Sequence, residues 1–183
     1  MRAVRGRDGA PTVVEVDEPP GSGELLTMRS AGICASDLMY LRLGTQRVLG
    51  HELAGVRADG TPVVLEGQFG CASCEYCLSG RNNLCAETAG NALGIMRDGG
   101  MVEQFRQPTD KLVPVEAGLD VYDAALVEPA SVAWHGIQRG NVDGTTRVAV
   151  VGGGSIGHLA AAAAVAQGAA EVALEARYRH QHE

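Results

Sequence analysis

Four of the five cysteines, Cys71, Cys74, Cys77 and Cys85, stand in a Cys-x-x-Cys-x-x-Cys-x7-Cys run. Thiolates bind zinc at about 2.3 Å, and four of them close a tetrahedron with no position left for a substrate. The run therefore reads as a structural zinc site. The residues between the cysteines, Ala72, Ser73, Glu75 and Tyr76, offer nothing to displace a metal. An iron–sulfur cluster also takes four thiolates, but the ferredoxin-type run has proline after its last cysteine, and here Ala86 follows Cys85. Four free thiols are the remaining alternative, and this spacing disfavours it.

The fifth cysteine, Cys34, lies in Gly32-Ile33-Cys34-Ala35-Ser36-Asp37, and a histidine follows in Gly50-His51-Glu52. Taken singly, neither fixes a metal. A lone cysteine serves equally as a small buried hydrophobe, and a lone histidine as a satisfied polar residue. Further on, Val151-Gly152-Gly153-Gly154-Ser155-Ile156-Gly157 carries Gly-x-Gly-x-x-Gly. The pattern alone is weak, but it follows a strand-like run and opens a helix-prone one, the context of a dinucleotide site. Gly152 would allow the tight turn, Gly154 the approach of a pyrophosphate and Gly157 close helix–strand packing. The phosphates would sit at the helix N-terminus, drawn by its free N–H groups. A glycine-rich hairpin is the alternative.

Two textures of chain must hold these groups. Residues 1–120 are rich in Gly, Pro and short valine runs such as Thr12–Val16 and Pro62–Leu65, which read as short strands of a β-rich domain. Residues 121–144 read as a helical connector, with apolar residues at helical spacing from Val121 to Gln138, broken near Glu128-Pro129, and then a turn-rich link. From residue 145 to 183 the chain reads as one β-α-β unit: a fully buried parallel strand over Arg147–Val151, a helix over His158–Gln167 stopped by Gly168, and a second strand over Glu171–Leu174. A doubly wound sheet has two such halves, so the sequence is expected to be C-terminally truncated, the last residues Arg177–Glu183 falling where a next helix would begin. At 45% hydrophobic the chain has material for a core. A formal net charge of −7 and only 4% aromatic residues argue against nucleic acid or a membrane surface as partner. The N-terminus has no apolar signal segment, the longest apolar run (159–166) is too short to span a bilayer, and an odd cysteine count fits disulfides badly. A cytoplasmic location is expected.

In their order, Cys-x-Ser-Asp, Gly-His-Glu, the four-cysteine run, Glu128-Pro129 and the glycine-rich turn resemble the medium-chain zinc alcohol dehydrogenases. The likeness covers the chain from about Met1 to Arg177 and rests on five separate motifs. It implies a GroES-like catalytic domain followed by the first unit of a Rossmann domain, and a zinc-dependent enzyme passing hydride between an alcohol or polyol and NAD(P). It assigns Cys34 and His51 as catalytic zinc ligands, with Glu52 or Glu128 completing the set beside the structural zinc of Cys71, Cys74, Cys77 and Cys85. Many members have cysteine where Glu128 stands, and glutamate resembles the sorbitol and polyol branch. An exposed helix-start carboxylate is the alternative for Glu128, and its flanks Ala124–Val127 argue against that. The resemblance makes Ser36 the proton-relay hydroxyl and Asp37 the carboxylate that orients the histidine. Some members pass the proton on through a histidine; Met39 stands in that place here. For the cofactor, Gly152, Gly154 and Gly157 match the phosphate turn. Glu175 could hold a ribose hydroxyl, but gap-free comparison puts Ala176 at that acid's position with Arg177 next and Arg179 nearby, which favours NADP over NAD. The implied partner is a small-molecule alcohol, and the full-length protein would be a homo-oligomer. A zinc-free quinone reductase of the same superfamily is disfavoured by Cys34, His51 and the four-cysteine loop. A zinc-binding fragment without turnover is the other reading.

Overall fold

In the computed structural model residues 1–181 are described; His182 and Glu183, the end of the tail noted above, lie outside them. The chain forms two compact units, Met1–Leu126 and a second from Val127 onward.

The first unit is β-rich. Strands β1 (Arg2–Arg7) and β2 (Ala10–Glu15) form an antiparallel hairpin. Asp8 and Gly9 at its tip both take positive φ, 49° and 77°, the conformation of the two-residue turn that suits the strands' right-handed twist. Five further strands make one antiparallel sheet: β3 (Glu24–Ala31), β4 (Leu53–Val56), β5 (Pro62–Leu65), β6 (Gln104–Gln107) and β7 (Leu112–Pro114), in the order β6-β3-β4-β5-β7. The central strands are covered on both faces. Leu53, Val63 and Leu65 join Leu26, Leu93 and Leu112 in one buried cluster, while Ala54 and Val64 join Ala124 in another. Alternation along a strand is what divides neighbours between the two clusters. Helix α1 (Ala35–Arg42) follows β3, and a one-turn helix, α2 (Glu75–Leu78), lies inside the cysteine run.

The second unit holds α3 (Val127–Arg139), β8 (Arg147–Val151), α4 (Ser155–Ala166) and β9 (Glu171–Glu175). Strands β8 and β9 pair in parallel from Arg147↔Glu171 to Val151↔Glu175, and α4 packs on both of them.

Three expectations need correction. Glu128-Pro129 does not break a helix: both lie in the first turn of α3, where a proline's missing N–H would have found no acceptor anyway. Residues 124–126 form a separate 3-10 turn that belongs to the first unit. Second, α4 starts at Ser155 rather than His158, because Gly154 is its N-cap and the third glycine falls in the first helical turn. Third, β8 is not fully buried: its residues alternate between exposed and half-buried, since α4 covers one face of the pair.

Leu53 is fully buried beside the Gly50-His51-Glu52 segment. Leu53→Ala should cost about 2–5 kcal/mol, the range for emptying a packed core position, measured by urea denaturation.

Candidate metal centres and nucleotide turn

Cys34 is the N-cap of α1, in extended conformation at φ −84° and ψ 152°. Asp37 is the third residue of that helix, and its Oδ2 accepts the Cys34 backbone N–H at 2.9 Å. This is one half of a capping box, and it fixes the backbone that carries the thiol. Asp37 is only 2% exposed, and its other oxygen, Oδ1, faces His51 Nδ1 at 3.8 Å. Both of those atoms are buried without a hydrogen-bond partner. His51 thus turns Nδ1 toward Asp37 and leaves Nε2 on the other side, where the Ser36 hydroxyl lies 3.3 Å away.

Cys34, His51 and Glu52 each offer a ligand atom within 4.8 Å of the other two. Glu52 is buried, and among the described residues no lysine or arginine pairs with it. A buried carboxylate is costly unless something compensates its charge. Thiolate, imidazole and carboxylate are all zinc donors, so the donor set and the uncompensated Glu52 fit one zinc ion with an open position.

The four other thiols gather separately, all within 4.8 Å of one another. Cys71 Sγ and Cys77 Sγ are 4.0 Å apart, close to the ~3.8 Å edge of a tetrahedron of thiolates at zinc–sulfur distance. Hydrogen bonds from the Ser73 side chain and backbone and from the Cys74 backbone pull the Cys71 thiol down to about 6. Burial and the neighbouring Cys74 push Cys77 up to about 11. Crowded thiols cannot all ionise together without a cation, and a bound metal deprotonates its thiols outright. No spacing pattern singles out Ser73; the folded loop brings its hydroxyl 3.4 Å from Cys71 Sγ.

In the second unit, Gly152 follows β8 with φ 119° and donates its N–H to Glu175 O at 2.9 Å. Gly154 caps α4 with open space around it. At Gly157 a side chain would collide with the Gly152 carbonyl, so glycine is required for this approach of helix to turn. Ala176 and Arg177 come directly after β9, and Ala176 lies against Gly153. The Arg177 guanidinium sits over the Tyr178 ring at 5.5 Å. Glu128 lies in the first turn of α3 in this unit.

In metal-free chain at neutral pH, alkylation followed by peptide mapping should label Cys71 first and Cys77 last within the cluster. Ser73→Ala should slow labelling of Cys71, because its largest stabilising hydrogen bond is gone. Cys74→Ser should release one zinc ion and lower the thermal midpoint of the first unit, read by metal analysis and circular dichroism.

Residues 21–117 match the model of the alcohol dehydrogenase GroES-like domain. The chain is 34% identical over 173 residues to L-galactonate-5-dehydrogenase of Escherichia coli, a match covering 85% of this chain and 50% of that protein. It is also 34% identical to sorbitol dehydrogenase of Bacillus subtilis, over 81% of this chain and 47% of the relative. A solved zinc-binding dehydrogenase from Sinorhizobium meliloti bound to NADP superposes with a TM-score of 0.87 at 29% identity, covering 98% of this chain and 57% of the other. The chain spans about half the length of the curated relatives it matches. No helix among the described residues is long and apolar enough to cross a membrane. The two thiol-bearing donor sets lie in the segment that carries the domain match, apart from the nucleotide turn, and the chain belongs to the alcohol dehydrogenase GroES-like family.

Proposed function

We propose that this chain supplies the zinc-ligating part and the nucleotide turn of a cytoplasmic, zinc-dependent dehydrogenase that moves hydride between an alcohol- or polyol-type CH–OH group and NAD(P). The observation that carries the reading is the presence of two donor sets of different kind: four thiols suited to a closed site, and Cys34, His51 and Glu52 suited to an open one. Zinc held by Cys34 and His51, with Glu52 or Glu128 as the further protein ligand, supplies Lewis acidity toward a hydroxyl oxygen. Asp37 keeps Cys34 and His51 in register, with one oxygen on the Cys34 N–H and the other facing His51 Nδ1. Ser36 beside His51 Nε2 takes up the substrate's hydroxyl proton. Met39 carries no exchangeable proton, so Ser36, itself half-buried, passes its own proton to water or another group as it accepts the substrate's. Gly152, Gly154 and Gly157 hold the dinucleotide phosphates, and Arg177 pairs with a 2′-phosphate, which favours NADP over NAD. The polyol preference is supported by Glu128 and by relatives named for L-galactonate and sorbitol. The full-length protein is a homo-oligomer in this reading.

Metal analysis of the purified chain should find two zinc ions, and Cys34→Ala should leave one; a chain that takes up none would overturn the proposal. In a full-length protein carrying this chain, NADPH should bind at least tenfold tighter than NADH, and Arg177→Ala should abolish the difference, as loss of a charge-assisted pair requires (about 1.5–3 kcal/mol). Two zinc ions with no turnover of any polyol by the full-length protein would favour a zinc-binding role without catalysis.

A further inference from the structure

Gly32 stands two residues before Cys34, at the end of β3, and its N–H donates to the Glu52 carbonyl at 2.8 Å. Its φ lies outside the left-handed region, so the backbone there can be adopted by any residue. What glycine provides is space. A Cβ at this position would fall on Glu52 Oε2 and lie 3.0 Å from both Cβ and Cδ of Glu52. Because the clash runs along the side chain from root to tip, turning the carboxylate alone would not relieve it. Glu52 would have to leave its rotamer and withdraw its oxygen from Cys34 and His51. The three atoms nearest to the added Cβ all belong to Glu52.

We infer that Gly32 is a positioning residue for Glu52: its missing side chain is the space that lets the Glu52 carboxylate join Cys34 and His51 as a metal donor. The inference rests on the zinc reading of that trio and adds which residue makes the third donor possible. It also separates two roles of the β3–α1 junction. Asp37 governs Cys34 and His51 by hydrogen bonding and charge, whereas Gly32 governs Glu52 by shape.

The test is a double-mutant cycle read by metal affinity. Zinc is first loaded into the four-cysteine site. Cobalt(II) is then titrated against a chelator, following the charge-transfer absorption of the single Cys34 thiolate. Gly32→Ala should weaken cobalt binding at least tenfold, comparable to Glu52→Ala, and should shift the cobalt spectrum in the same way. In the Glu52→Ala background, Gly32→Ala should have little further effect, since the Oε2 and Cδ it would strike are gone and only the 3.0 Å approach to the residual Cβ remains, which a shift of a few tenths of an ångström relieves. Wild-type affinity in Gly32→Ala, or an equal loss in both backgrounds, overturns the inference. If Gly32→Ala alone does not fold, Gly32→Ala/Glu52→Ala should fold and retain its four-cysteine zinc. Failure of the double variant also overturns it, because the glycine would then serve something other than Glu52. A wild-type chain that binds no second metal refutes the zinc reading itself, an outcome distinct from a wild-type chain that binds it and a Gly32→Ala chain that binds it equally well.

Discussion

Donor atoms that repel one another are held together in two places in the first unit. Four thiols lie within 4.8 Å, and a thiol, an imidazole and a carboxylate gather just as closely elsewhere. Without a cation such groups cannot all carry charge, and they are already unequal: hydrogen bonds from Ser73 and Cys74 draw the Cys71 thiol down, while burial and Cys74 push Cys77 up. A cation of charge two would remove the conflict in both places, and under the zinc proposal folding and metal binding would be coupled.

The two sets are held by different means. The four-cysteine set is local: one loop with a single helical turn, α2, folds back on itself, and backbone N–H groups point at sulfur, as from Cys74 to Cys71 and from Cys71 to Cys85. The Cys34 set is assembled from separate segments. Cys34, Ser36 and Asp37 ride on the start of α1, while His51 and Glu52 come immediately before β4. Leu53, fully buried between β3 and β5, anchors that second segment, and the Gly32–Glu52 backbone hydrogen bond ties it to the first. The precision of the open set therefore depends on the sheet, whereas the closed set depends chiefly on its own loop.

The second unit follows a simpler logic. A parallel strand pair with a helix over one face sets the glycine turn at the N-terminus of α4, where unpaired N–H groups favour an anion. The side chains that follow β9, from Ala176 to Arg177, sit at the same end, which is where a nucleotide's ribose would be read.

The four-cysteine site, the glycine turn and the β-then-α/β order were legible in the sequence, because each is a contiguous pattern whose chemistry follows from spacing. The ends of elements were less so. Pro129 looked like a break and is a helix start, and Ser155 looked like turn and is helix, since a residue's tolerance for a first helical turn depends on what caps it. Cys34 and His51 were ambiguous singly and gained meaning only from the resemblance. The tertiary structure alone decided that Glu52 turns its carboxylate toward them, that one carboxylate, Asp37, serves both, and that Gly32 matters for what it lacks. Those facts involve residues far apart in the chain meeting across β3 and β4, and no local pattern encodes which side chain fills the space a distant glycine leaves.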